Sequence, residues 1–313
     1  MQSRRNKEID ILCAGELLVD LMTTDYADKI DGNRLFKPVQ GGSPANLCLN
    51  MARLNNQAKL VCTVGSDGLG DFLLDNVRMG GVDCSLVHRS QEPTTIILVS
   101  HSLNLPSFEA YRTADKHITM DQLPSDILDN TNIFHTTCFG MSLAPAQDSI
   151  MAVARKSNDY QLQLSIDANY AQKVWPNQQQ AQELVAEYVS YGALVKLSEV
   201  DWQRLYNQPL RQAEIAAEHF LKLGAKQVCV TLGADGAYLA TAAESHFLAA
   251  RPVTVRDTTG AGDAFWSGFL TAYLDGKNPL NCLKAGRKMA EIKLEHIGPL
   301  QRKMDKQEIY VDL

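Results

Sequence analysis

The stretch Asp257-Thr-Thr-Gly-Ala-Gly-Asp263-Ala-Phe265 sets three small residues and a carboxylate where a helix is about to begin. Ala264, Phe265, Gly268, Phe269 and Ala272 then recur at helical spacing and share one apolar face. Upstream, Arg251-Pro-Val-Thr-Val255 reads as a short extended segment, because Pro252 and the β-branched residues disfavour helix. Gly260, Ala261 and Gly262 are therefore expected at a strand-to-helix turn, with their backbone N–H groups unpaired. Such a turn is an anion site, since free donors and the positive end of the helix dipole face one point. Asp263 would repel the same anion, so its presence needs a reason. It is either a first-turn acid favoured by the dipole, with Thr258 or Thr259 capping the helix, or a carboxylate that accepts the proton of a hydroxyl attacking a bound phosphate. The rest of the chain favours the second reading.

The 313 residues are 45% hydrophobic and 21% charged, enough for a large core and for a single α/β domain with an elaboration. A formal net charge of −6 and the lack of any basic block argue against nucleic acid or an anionic membrane as partner. The seven cysteines are scattered, with no C-x-x-C pair, and read as buried thiols in a reducing cytoplasm. The apolar stretch after Arg4, Arg5 and Lys7 is broken by Asp10, Glu16 and Asp20, so it is not a signal peptide. A cytoplasmic protein is expected.

Short apolar runs alternate with helical patterns. Ile9–Ala14, Leu60–Val64, Ile133–Thr137, Leu162–Ile166, Ala193–Leu197 and Val228–Leu232 read as buried strands. Pro44–Leu54, Asp71–Met79, Ala144–Lys156, Gln178–Val189 and Ala213–Leu223 read as helices. This predicts a mainly parallel sheet covered on both faces, with ligands beyond the carboxyl ends of its strands. Leu17–Phe36 and Thr94–Tyr111 are β-rich without intervening helices and are expected to form a small separate sheet, a lid.

Several motifs fall on the expected rim. Asp20, after Gly15 and the first strand, either accepts from sugar hydroxyls or is a solvated loop acid. In Gln40-Gly41-Gly42-Ser43-Pro44-Ala45-Asn46 the glycines permit close backbone approach, and the Asn46 amide suits a polyol that both donates and accepts; an ordinary turn is the rival reading. The Gly65–Gly70 junction is architecture, with Asp67 or Asp71 as a cap. Arg112 either clamps oxyanions in fork geometry or pairs at the surface with Glu109. Asp167 and Asn169 lie just past a strand end, as do Lys196, Ser198 and Glu199. Lys196 suits a nucleotide phosphate, and Glu199 suits Mg²⁺ held through water. Thr231-Leu-Gly233-Ala-Asp235-Gly236 is a nucleotide-lining turn or a hairpin. There is no G-x-x-x-x-G-K-[ST], no G-x-G-x-x-G and no G-x-S-x-G, which counts against P-loop, dinucleotide-binding and serine-hydrolase sites.

In order and spacing, Gly41-Gly42 with Asn46, Gly65–Gly70, Lys196–Glu199, Thr231–Gly236 and above all Asp257–Asp263 resemble the ribokinase-like (PfkB) carbohydrate kinases, over essentially the whole chain. The resemblance implies a Rossmann-like α/β domain spanning 1–313, a β-lid from about 17–37 and 94–112, and dimerisation through that lid. It implies transfer of the γ-phosphate of ATP, with Mg²⁺, to a sugar hydroxyl. By the same resemblance Asp263 matches the catalytic base, and the amides of Gly260, Ala261 and Gly262 match the anion hole. Asp20, Gly41, Gly42 and Asn46 match sugar-binding positions, with Arg112, Asp167 and Asn169 as further candidates. Lys196, Glu199, Thr231, Gly233 and Gly236 match nucleotide and Mg²⁺ positions, and Asp257 matches a residue near the monovalent-cation (K⁺) site of many members. Ser43-Pro44-Ala45, Phe108–Arg112 and Asp167–Asn169 with Trp175-Pro176 are similar to fructokinases, which makes fructose the expected acceptor. The alternatives are a 2-keto-3-deoxygluconate kinase, a ribokinase, a nucleoside kinase or a non-catalytic sugar- or nucleotide-binding protein on the same fold. Two stretches depart from the pattern: Tyr170-Ala171 stands where fructokinases commonly carry an Arg, and Lys293–Pro299 replaces a small apolar pattern expected on the adenine side.

Overall fold

A computed structural model describes residues 4–26, 34–101 and 108–313; parts of both expected lid segments lie outside the described residues. The strands are β1 (Ile9–Ala14), β2 (Leu18–Tyr26), β3 (Phe36–Gly41), β4 (Ala58–Val61), β5 (Thr63–Gly65), β6 (His88–Ser90), β7 (Ile96–His101), β8 (Phe108–Tyr111), β9 (Thr131–Thr137), β10 (Gln163–Asp167), β11 (Leu194–Ser198), β12 (Gln227–Thr231), β13 (Gly236–Thr241) and β14 (Ser245–Ala249). The helices are α1 (Ser43–Arg53), α2 (Gly68–Met79), α3 (Ser125–Asp129), α4 (Ala146–Arg155), α5 (Gln178–Ser190), α6 (Glu199–Tyr206), α7 (Ala213–Lys222), α8 (Ala261–Leu274), α9 (Pro279–Leu294) and α10 (Gln307–Tyr310).

An eight-stranded sheet runs in the order β14-β13-β12-β11-β10-β9-β1-β4. It is parallel from β12 to β4, while β13 and β14 are added antiparallel. Its strands β1 and β9 are buried along their whole length, the mark of a parallel sheet covered on both faces. The two-residue period of β1 divides the core: Ile11 and Cys13 face the layer of α1, α2, α8 and α9, whereas Leu12 and Ala14 face α4, α5 and α7. A second sheet, β3-β2-β7-β8, is the expected lid, with β2 and β7 parallel and both outer pairs antiparallel.

Three expectations on the elements need correction. The expected strand Leu60–Val64 is two strands, because β5 leaves the main sheet to pair with β6. α2 starts at Gly68 rather than Asp71, since the Asp67 carboxylate caps it by accepting from the Gly70 amide at 2.8 Å. The segment Arg251–Val255 joins no sheet: β14 ends at Ala249, and residues 250–257 have no regular secondary structure. The turn before α8 is therefore held from elsewhere, by the Arg256 amide donating to the Leu294 carbonyl at 2.8 Å. All seven cysteines are free thiols, and among the described residues no helix is long and apolar enough to cross a membrane.

α8 is the hub of its layer, buried from Ala264 to Leu274. It approaches α9 so closely that a Cβ on Gly268 would lie 2.6 Å from the Ala285 carbonyl oxygen and 2.7 Å from Met289 Cβ. Gly268→Val is expected to force the two helices apart and destabilise the protein by about 1–3 kcal/mol or more, read as a lower urea midpoint; an unchanged midpoint would show that they separate there without loss.

Candidate active site

The first turn of α8 lies at the centre of one rim of the sheet. Gly260 is its N-cap, in the left-handed conformation at φ 73°, and no side chain caps the helix. The expected caps are absent: the Thr259 amide donates instead to Asp257 Oδ1 at 2.9 Å. The amides of Gly260 and Gly262 make no hydrogen bond among the described residues, but that of Ala261 donates to the Thr258 carbonyl at 3.2 Å. The expected trio of free donors is thus reduced to two. Beside them stands the Lys196 ammonium, 3.0 Å from where a Cβ on Gly262 would be. Burial pulls the Lys196 pKa down, but the carboxylates of Asp167 and Asp201 outweigh it and hold the ammonium charged.

The Asp263 carboxylate is tied to α1. Its Oδ1 accepts from Ser43 Oγ at 2.6 Å and its Oδ2 from Asn46 Nδ2 at 3.0 Å. Burial pushes its pKa above the usual 3.8, against the opposing pull of Ser43 and Lys196. Asp20 faces it from β2: burial and the Asp263 charge push Asp20 up to about 7. Gly41 makes room for it, because a Cβ there would lie 2.6 Å from Asp20 Cγ. Gly42 precedes α1 at φ 100°, against the Glu16 backbone. Glu16, a residue the motif reading passed over, accepts from the Ser43 amide at 3.2 Å and from Thr137 Oγ1 at 3.1 Å. It anchors the start of α1 to β9 and so holds Ser43 against Asp263.

Two cavities flank this turn. One, of about 830 Å³, takes in Lys196, Glu199, Thr231, Gly233, Gly236 and Gly262. Every residue the sequence reading gave to the nucleotide side therefore meets here, and Thr231–Gly236 is both hairpin and lining turn. Leu248, Phe265, Ala290 and Leu294 give it an apolar wall. The other cavity, of about 190 Å³, lies beneath the lid and takes in Asn46, Gly260, Asp257 and Lys293. Lys293 and Ile297–Pro299 thus stand on this side and not on the apolar wall, where the adenine-side expectation had them.

The candidates on the acceptor side divide. Asp20, Gly41, Gly42 and Asn46 are brought together around Asp263, although Asn46 has both ends of its amide engaged, donating to Asp263 and accepting from Gln40 Nε2 at 3.3 Å. Arg112 lines neither cavity; it donates to Asp115 at 2.9 Å and to Ser142 and lies over the Phe139 ring. Its suggested partner Glu109 pairs with Lys173 at 2.6 Å. Asp167 Oδ2 is paired with Lys196 at 2.8 Å while its buried Oδ1 has no hydrogen-bond partner among the described residues, and Asn169 Oδ1 accepts from the Phe139 amide at 3.2 Å.

With this geometry in hand, the chain matches the pfkB family carbohydrate kinase model over residues 8–306, and it belongs to that family. The ATP-dependent 6-phosphofructokinase of Thermoanaerobacterium thermosaccharolyticum is 32% identical over 295 residues, which cover 94% of this chain and 91% of that one. The 2-dehydro-3-deoxygluconokinase of Thermoproteus tenax is 29% identical over 254 residues, 79% of this chain and 77% of that one. A fructokinase double mutant of Vibrio cholerae O395, in fructose, ADP and potassium ion bound form, shares the fold with a TM-score of 0.83 at 24% identity, covering 99% of both chains. The protein is an ATP-dependent carbohydrate kinase.

A titration of ¹³C-labelled aspartate carboxyls by NMR is expected to find Asp20 and Asp263 protonating above the usual 3.8, with Asp20 near 7. Asp257 is expected below 3.8, because the Thr259 and Gly298 amides and the Lys293 charge outweigh its burial. Each raised carboxylate becomes neutral on lowering the pH sooner than an exposed one, so Asp20 should lose its charge as the pH falls through about 7. Ordinary titration of Asp20 would contradict this account.

Proposed function

We propose that the enzyme transfers the γ-phosphate of MgATP to a hydroxyl of a small sugar that itself carries an anionic group, with Asp263 as the base. The observation that carries the acceptor class is Arg53. It is buried on the last turn of α1, and its Nε and Nη1 have no hydrogen-bond partner among the described residues. Burial lowers its pKa to about 10, still charged at neutral pH. Arg53, Lys37 and Arg256 line the cavity that Asn46 and Gly260 also line. Asn46 and Arg53 are seven residues apart on one helix, about 10.5 Å of rise. An acceptor with its reacting hydroxyl at Asp263 and an acidic group at its far end spans that interval. The names of the two relatives agree with this class, since one takes a sugar phosphate and the other a sugar acid. Neutral fructose, the expectation from sequence, would leave the Arg53 charge without a counterpart, and it is the competing acceptor.

In this reading the acceptor hydroxyl donates to Asp263, which Ser43 and Asn46 have already oriented. As the hydroxyl oxygen bonds to the γ-phosphorus, the bond to the β,γ-bridging oxygen breaks, ADP leaves, and the proton passes to Asp263. The amides of Gly260 and Gly262, the helix dipole and Lys196 meet the charge on the phosphoryl oxygens. Mg²⁺, when bound, neutralises the phosphates; the exposed Glu199 carboxylate in the nucleotide cavity fits a role through water, because this ion keeps most of its shell and takes few protein carboxylates. The lid, whose Met22, Lys37 and Val39 face the acceptor cavity, excludes water from the attack.

Asp263→Asn is expected to lower kcat by about 10²–10⁴-fold with MgATP affinity by calorimetry unchanged; near-normal turnover would remove Asp263 as the base. In an ADP-release panel, fructose 6-phosphate or 2-keto-3-deoxygluconate is expected to exceed fructose in kcat/KM. Arg53→Met should raise KM for the anionic acceptor by about 10–100-fold, the worth of a hydrogen bond to a charged group. Preference for fructose, unaltered in that variant, would overturn the acceptor class and leave the kinase reading intact.

A further inference from the structure

Asp257 matches a position associated with a monovalent cation, but the residues around it do not fit an added ion. The Lys293 ammonium lies 3.3 Å from Asp257 Oδ2 and 3.2 Å from the His296 carbonyl oxygen. Those are a carboxylate and a carbonyl, the oxygen donors that a hard monovalent ion would take, and a cation of the same charge already holds them. Lys293 is buried, and the same Asp257 oxygen also accepts from the Gly298 amide at 2.8 Å. A K⁺ ion bound there would meet the ammonium, and two cations cannot share one carboxylate without strong repulsion.

We infer that Lys293 is a built-in substitute for the monovalent cation, and that the kinase does not depend on K⁺. The inference rests on the proposed phosphoryl-transfer role of the α8 turn. The ammonium sits where its charge counts: Lys293 Cε is 4.0 Å from where a Cβ on Gly260 would be, and the Lys293 charge acts on Asp263. Through Asp257, whose Oδ1 accepts from the Thr259 amide, Lys293 also fixes the backbone just ahead of the free donors. It lies in the last turn of α9, where the negative end of the helix dipole favours a cation. Lys293 is therefore a positioning residue and a source of fixed positive charge for the anion turn; it need not touch the substrate.

The test begins with the intact enzyme and varies K⁺, Na⁺ and a bulky organic cation at constant ionic strength. Less than a twofold change in kcat/KM is expected, and K⁺ should not shift the melting temperature beyond the Na⁺ control. Activation of several-fold by K⁺, or a K⁺-specific rise in melting temperature, would overturn the inference. Lys293→Ala empties the position: turnover is expected to fall at least tenfold, and to return selectively with K⁺ or methylammonium, together with a K⁺-specific gain in melting temperature. Lys293→Arg, which keeps the charge, is expected to retain more activity than Lys293→Ala. A Lys293→Ala protein that is folded by circular dichroism, impaired and indifferent to every cation would assign Lys293 to packing alone. The melting shifts need no turnover, so they test the cation position even if the acceptor or the reaction has been assigned wrongly.

Discussion

An uncapped helix start is the constraint on which this site depends. Fourteen residues of α8 are aligned with their N-terminus at the meeting point of two cavities, and no side chain neutralises it. The dipole favours negative charge there, worth up to about 2 kcal/mol in partly buried geometry. The fold meets that field in two ways. A carboxylate in the first turn, Asp263, is swung aside and tied to α1; the axial donors of Gly260 and Gly262 remain available for an outside anion. Because both ties come from α1, and Glu16 ties α1 to β9, the orientation of one carboxylate is set by three elements of the main layer.

Positive charge around the turn is distributed in matched pairs. Lys196 stands with Asp167 beside the larger cavity, and Lys293 with Asp257 beside the smaller one. At Lys196 desolvation pulls toward the neutral form, and the neighbouring carboxylates hold the charge. Arg53 differs from both. It is buried without an acidic partner among the described residues, which protein interiors tolerate badly, so its counterpart on the proposed function is the acceptor itself.

What could be read from the sequence followed the range of the interactions. The Asp257–Asp263 segment was legible because its chemistry is local: small residues, a helix start and an acid within seven positions. The convergence of Lys196, Glu199 and Thr231–Gly236 on one cavity was legible because parallel strands deliver their carboxyl ends to one rim. Lys293 and Arg53 were not. Lys293 is separated from Asp257 by a whole helical hairpin, and Arg53 reads as an ordinary basic residue in a helix's last turn. The partners of Arg112, Asp167 and Asn169 were not legible for the complementary reason: polar residues near a rim look free in sequence, and only the fold shows that Asp115, Lys196 and the Phe139 amide engage them. The expected strand-to-helix turn was not met, since Arg251–Val255 pairs with no strand and β14 already closes the edge of the sheet.

On the proposed function both acceptor determinants lie on α1, and this has a physical consequence. Its first turn orients Asp263 through Ser43 and Asn46, and its last turn carries Arg53. A helix is close to a rigid rod at this length, so the spacing between the reacting end and the charged end cannot change by side-chain motion in a loop. Lid strands can adjust how tightly the middle of the acceptor is held, but the length that is accepted is a property of the helix. A sugar too short to reach Arg53 would bind with that charge still unmatched, and one too long would push its hydroxyl off Asp263. On the proposed function, discrimination between acceptors and alignment of the attacking hydroxyl are therefore one interaction measured at its two ends, which is how binding energy remote from the reacting atoms is converted into rate.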